Sequence, residues 1–194
     1  MTAAALPDLA GAWLLVIDMQ RIFAEPDSPW ATPDFAAAQQ GVDRLLPAFA
    51  GRTAFTRFVA PAHPAGAWAD YYRDWPFALD PAHADQYALV DGYARHGEPV
   101  IDRSGFGKWD ATTAARLDRP GTIVLAGVST DCCVLSTALA AVDDGVRIVV
   151  AADACAGLSA ADHPRALDAL ALVAPNVAIG DPGRVRQAVC ASRL

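Results

Sequence analysis

Lysine is almost missing from this chain of 194 residues: Lys108 stands alone against fourteen arginines. Alanine is abundant throughout, so the imbalance is a bias of the whole chain, and an arginine at most positions says little about function. At a catalytic position it says more. No cluster of basic residues relieves the net charge of −7, which excludes an electrostatic footprint for nucleic acid or an anionic membrane. No apolar run approaches the roughly 18 residues of a membrane span. The segment Met1-Thr2-Ala3-Ala4-Ala5-Leu6-Pro7-Asp8 has neither the basic start nor the apolar stretch of a secretory signal. Internal repeats, low-complexity tracts and linkers are missing too, which makes residues 1–194 most simply one domain. Cysteine is sparse: Cys132, Cys133, Cys155 and Cys190 show no zinc-type spacing, and adjacent Cys132 and Cys133 make a poor structural disulfide. Reduced thiols in a cytoplasmic protein are the expectation. No Gly-x-Gly-x-x-Gly follows a strand, so no nucleotide cofactor is expected.

What the chain does have is alternation. Short apolar strands at Ala12–Asp18, Arg52–Thr56, Pro99–Asp102, Thr122–Ala126, Arg147–Ala151 and Asn176–Ile179 are separated by helical patterns at Asp34–Phe49, Ala111–Leu117, Cys132–Asp143, Asp162–Val173 and Pro182–Val189. This predicts an α/β fold, a mainly parallel six-stranded sheet covered on both faces. Residues 60–98 interrupt the rhythm with proline, histidine and aromatics, Trp68, Tyr71, Tyr72, Trp75 and Phe77 among them. An excursion of that length is usually a functional loop or an interface, and the spacing from Trp68 to Trp75 suits one face of a short helix, so core or oligomer packing and a lid over the site are equally expected.

The segment Gly127-Val128-Ser129-Thr130-Asp131-Cys132-Cys133-Val134 joins a strand to a helix. A cysteine there meets the positive end of the helix dipole, which lowers a thiol pKa and favours the nucleophilic thiolate. Asp18 and Arg103 also follow strand ends. A doubly wound sheet gathers such residues along one edge, where open parallel sheets bind ligands.

Together LLVIDMQRIF, FTR at Phe55 to Arg57, IDRSGFGKW and VLAGVSTDCCVLSTALAAVDDGVRIVVAADACAG resemble the isochorismatase-like cysteine hydrolases, which include nicotinamidases and N-carbamoylsarcosine amidases. The pieces run in family order from about Trp13 to Val177. The resemblance implies strand order 3-2-1-4-5-6 and a triad of aspartate, lysine and cysteine. Asp18 matches the aspartate and Cys133 the cysteine; Cys132 falls where the family varies. Aligning Ser104, Phe106, Trp109 and Thr112 with the family's K-S-x-F-x-x-F-x-x-T puts Arg103 on the lysine, leaving Lys108 as a solvated surface residue that is the second choice for the role. An arginine there supplies charge and hydrogen bonds but transfers no proton.

The resemblance also implies a cis bond at Val128–Ser129, with the N–H groups of Ser129 and Cys133 as the oxyanion site. Phe23, Phe106, Trp109, Trp68 and Tyr72 are the expected pocket residues. The Asp-x-His motif of the nicotinamidases has no counterpart after the second strand, so no metal is expected. The resulting reading is a cofactor-free hydrolase of a small, neutral or aromatic amide, ureide or carbamoyl compound, a homo-oligomer of two or four chains. The alternatives are a vinyl-ether hydrolase of the isochorismatase type, and a binding paralogue that lost hydrolysis with the lysine.

Overall fold

The computed structural model describes residues 6–192. Six strands, β1 (Trp13–Ile17), β2 (Thr53–Phe58), β3 (Val100–Arg103), β4 (Thr122–Val128), β5 (Arg147–Ala156) and β6 (Val177–Gly180), form one sheet in the order β3-β2-β1-β4-β5-β6. Every pairing is parallel. Chain order reverses between β1 and β4, the pair that carries Asp18 and Ser129 just past its carboxyl ends.

Alternation along the strands builds two cores. Leu14 and Val16 of β1, with Val124 and Ala126 of β4, pack beneath α2 (Phe35–Leu45) and α7 (Pro182–Ala191). Leu15 and Ile17, with Ile123 and Leu125, face α4 (Ala111–Arg116), α5 (Leu135–Asp143) and α6 (Asp162–Ala171). Period-two side-chain alternation makes each strand serve both layers at once. A third, aromatic cluster around Trp30, Phe58 and Tyr72 lies beyond the sheet edge, near the short helices α1 (Arg21–Ala24) and α3 (Ala67–Asp74).

Several elements differ from the sequence expectation. The second helix stops being α-helical at Leu45 and tightens into a 3-10 turn over Leu46–Phe49. Pro47 has no N–H to donate and its ring crowds the preceding turn. β2 runs on to Phe58, and β5 runs on to Ala156 through a register shift that pairs Leu125 with Val150 but Gly127 with Cys155. Such a bulge bends the strand, and α2 seats against it at Gly41, where a Cβ would stand 2.5 Å from the Ala154 Cα. Residues 60–98 are not a bare loop. They hold α3 and two 3-10 turns, pinned by Gln20, whose Nε2 donates to the carbonyls of Phe58 (2.9 Å) and Tyr87 (2.7 Å).

Gly127 has the tightest fit. It has φ +111°, and a Cβ there would lie 2.1 Å from the Ile17 carbonyl oxygen. Gly127→Ala therefore carries both a backbone conformation unsuited to an L side chain and a collision with the neighbouring strand. A loss of at least about 3 kcal/mol is expected, read as a lower urea midpoint with little change in slope. A stability within about 1 kcal/mol of wild type would contradict the packing at this strand pair.

Candidate active site

Asp18 is fully buried and adopts φ 48° immediately after β1, a left-handed conformation that aspartate tolerates better than a branched residue does. Its backbone N–H donates to Thr56 Oγ1 (3.1 Å), and the Thr56 hydroxyl donates to Asp18 Oδ1 (2.6 Å). The other oxygen, Oδ2, lies 2.9 Å from Lys108 Nζ. That contact is an ion pair without a well-directed hydrogen bond, because Oδ2 accepts none. One carboxylate oxygen is thus fixed, and the other has lone-pair capacity to spare.

Lys108 is not a surface residue. It is 0% exposed, which corrects the expectation of a solvated side chain and of Arg103 as the partner of Asp18. Its ammonium donates to the Gly105 carbonyl (2.8 Å) and stands 4.9 Å from the Phe58 ring centroid, where the negative ring face favours a cation. Its backbone is clamped as well: Lys108 N–H donates to Thr137 Oγ1 (2.9 Å), and Thr113 donates to the Lys108 carbonyl (2.7 Å). Thr137 in turn donates to the Cys133 carbonyl (2.6 Å), so one hydroxyl couples the lysine segment to the cysteine segment.

Arg103 points elsewhere. Its Nη2 donates to Asp110 Oδ1 (2.8 Å) and Thr113 Oγ1 (2.9 Å), and its Nη1 to the Asp102 carbonyl. The physical reason lies in hydration and hydrogen-bonding capacity. A guanidinium needs acceptors for five donors, which the partly exposed edge at Asp110 helps to provide. The closed space beside Asp18 offers one carboxylate oxygen and one carbonyl, and these suit a compact ammonium.

Cys133 is buried within a π-helical turn, Thr130–Val134, that precedes α5. The turn replaces the first part of the uninterrupted helix expected from Cys132, and such turns recur at functional sites. Burial, then the charge and hydrogen bonding of Asp18, push the Cys133 thiol well above its ordinary value of 9.0, while Lys108 pulls the other way. This corrects the expectation of a thiol pKa lowered by the helix terminus. Desolvation here outweighs the dipole. The Val128–Ser129 bond is cis.

A cavity of about 360 Å³ opens above Cys133. Phe23, Phe106 and Ser129 line it as expected. The other three expected pocket residues do not. Trp109 is buried in the core on the α4–α6 side of the sheet, with its indole N–H on Asp144 Oδ2 (3.0 Å). Trp68 and Tyr72 form a layer of rings behind the wall, Trp68 lying 5.0 Å from Phe106. The wall itself takes Tyr71 and Trp75 from α3 and the residue after it. The stripe read as one helix face is thus two i,i+4 pairs, one facing the cavity and one the packing. Trp30 and Phe58 also line the cavity. Phe58 had a legible signal, since it ends a strand at the ligand-binding edge; Trp30, in an irregular segment, had none.

Burial also pushes Cys155 to about 12, and burial with the Asp131 charge takes Cys132 to about 11. Above pH 9 an unfolded chain sheds these protons and the folded one keeps them. Their contribution is complete below pH 9 and is lost as pH rises through the folded values. The urea midpoint is therefore expected to fall between pH 9 and 12, with a shallower fall in Cys155→Ala. A midpoint flat over that range would refute the burial of these thiols.

The isochorismatase domain model matches residues 12–179. The chain belongs to the isochorismatase family. Among solved structures, a cysteine hydrolase from Pseudomonas syringae pv. phaseolicola is similar over 98% of this chain and 97% of its own, with 19% identity and a TM-score of 0.84. The N-carbamoylsarcosine amidase of Thermoplasma acidophilum is 20% identical over 88% and 96% of the two chains, with a TM-score of 0.71. A putative isochorismatase-family hydrolase from Chromobacterium violaceum is 21% identical over 98% and 100%, with a TM-score of 0.73. No curated protein sequence matches this chain. At these identities the isochorismatase-family structures share its fold. Among the described residues, no helix is long and apolar enough to cross a membrane.

Proposed function

We propose that this isochorismatase-family protein hydrolyses a small amide, ureide or carbamoyl compound without a cofactor, through a thioester on Cys133. The observation that carries the reading is the buried Asp18–Lys108 pair acting on a thiol at the cavity floor. Asp18 Oδ2 takes the proton from Cys133 Sγ, and the sulfur attacks the carbonyl carbon. Backbone N–H groups of Ser129 and Cys133 receive the oxyanion. When the tetrahedral intermediate collapses, the C–N bond breaks and Asp18 returns the proton to the leaving nitrogen. Asp18 then deprotonates water, which attacks the thioester carbonyl. The acid departs, and the proton passes back to sulfur.

Lys108, 2.9 Å from Asp18 Oδ2, holds the carboxylate in place throughout. With an ammonium at Asp18, the reading as a binding paralogue loses the feature that motivated it. The fold shared with an N-carbamoylsarcosine amidase agrees with C–N chemistry. The test is a panel of small amides, ureides and carbamoyl compounds, with mass spectrometry of enzyme quenched during turnover. An acyl adduct on the peptide containing Cys133 is expected. Turnover at the wild-type rate in Cys133→Ala would end the proposal.

A further inference from the structure

We infer that the cavity selects uncharged substrates whose acyl side is an aryl or branched alkyl group, and rejects those carrying a carboxylate. The inference rests on the thioester reading for its chemistry, but not for its selectivity.

Six of the lining side chains are aromatic: Phe23, Trp30, Phe58, Tyr71, Trp75 and Phe106. None of the lining residues is Asp, Glu, Lys or Arg. The cations on neighbouring elements are committed elsewhere. Lys108 is held by Asp18 and the Gly105 carbonyl, and Arg103 by Asp110 and Thr113. Arg57 is paired with Asp102, and Arg21 with Asp91. His163, behind the π-helical turn, is hydrogen-bonded through Nδ1 to Thr130 Oγ1.

The charge that does lie beside the wall is negative. Asp131 accepts from the Leu158 N–H (2.9 Å) and from Cys132 Sγ (3.6 Å), and both Leu158 and Cys132 line the cavity. A carboxylate entering here loses water, finds no cation to pair with and meets a like charge. That combination is strongly unfavourable in an apolar site.

The lining does carry neutral donors, among them the buried and unpartnered Trp30 indole N–H and the Tyr71 hydroxyl. The Tyr71 hydroxyl has no hydrogen-bond partner among the described residues, and burial keeps this phenol protonated far above neutral pH. Tyr71 lines the same cavity as Cys132 and Cys133. A protonated hydroxyl there suits a neutral acceptor on the substrate.

Matched pairs test this: benzamide against terephthalamate, and isobutyramide against succinamate, each titrated calorimetrically into Cys133→Ala. Binding to that variant does not require chemistry, so a failure of the thioester reading leaves the selectivity measurable. Turnover of the same pairs by the wild-type enzyme reports separately on the chemistry. The neutral member of each pair is expected to bind at least about tenfold more tightly, and Leu158→Arg should narrow that gap by adding a cation at the mouth. Equal or tighter binding of the carboxylate-bearing member would overturn the inference, whichever way the adduct experiment falls. So would a failure of all four compounds to bind while a larger anionic amide does.

Discussion

Lys108→Ala should lower kcat/KM by about 10²–10⁴-fold, the range over which a positioned acid–base group contributes, and Arg103→Ala should leave it within a few-fold of wild type. Lys108 and Asp18 are both 0% exposed and 2.9 Å apart. Removing the ammonium strands a buried carboxylate, which costs about 3–5 kcal/mol unless the group takes up a proton. Without the ammonium, Asp18 Oδ2 has no partner to aim it at the Cys133 proton, so turnover falls. Lys108→Arg should not restore activity, since the guanidinium brings more donors than this closed space has acceptors. Arg103 lies outside, tied to Asp110 and Thr113, so its loss should cost a surface ion pair worth about 0–1 kcal/mol. Rate–pH profiles of the three variants on a substrate from the panel, alongside their thermal midpoints, separate lost catalysis from lost folding. Should Arg103→Ala lose activity and Lys108→Ala keep it, the ammonium is not what holds Asp18 ready.

Cys133→Ala should lose about 10⁴-fold or more in kcat, on the scale of other nucleophile deletions, whereas Cys132→Ala keeps the acyl adduct and shifts mainly KM. Both thiols line the cavity, so the contrast tests chemistry rather than access. Asp18 and Lys108 are the charges that bear on the Cys133 thiol, while Cys132 Sγ turns to Asp131 Oδ2 at 3.6 Å. The upward push of burial on the Cys133 thiol adds a kinetic signature. At pH 6, iodoacetamide should modify exposed Cys190 before Cys133, and Cys133 should become reactive only as substrate binding or rising pH draws off its proton. Preferential labelling of Cys133 at pH 6 in the free enzyme would show a thiolate already formed, against the burial that governs it here. An adduct found on Cys132 in place of Cys133 would reassign the nucleophile.

Much of this protein is written in its local sequence. Alternating apolar runs decide that Leu14 and Leu15 face opposite layers, because side chains on a strand alternate whatever lies around them. Asp18 and Cys133 were legible for a related reason: each follows the end of an apolar run, and parallel topology brings such ends to one edge. Gly127 could be filled by little else once β1 and β4 pair, whereas the helix read unbroken through Pro47 in fact ends at Leu45.

What remained depended on distant segments. Local sequence could not choose between Arg103 and Lys108, since both stand near the end of β3. The choice is made by the path of Ser104 to Gly107 and by Phe58, Thr137 and Gly105, which build a closed seat with too few acceptors for a guanidinium. The thiol pKa likewise passed out of local control: a helix terminus argued for lowering it, and the burial contributed by the whole site pushes it up. The face of α3 that meets the cavity was decided in the same way, by which rings found partners behind it. Periodicity is a property of neighbours along the chain, whereas desolvation and hydrogen-bonding capacity belong to the space into which a side chain is finally packed.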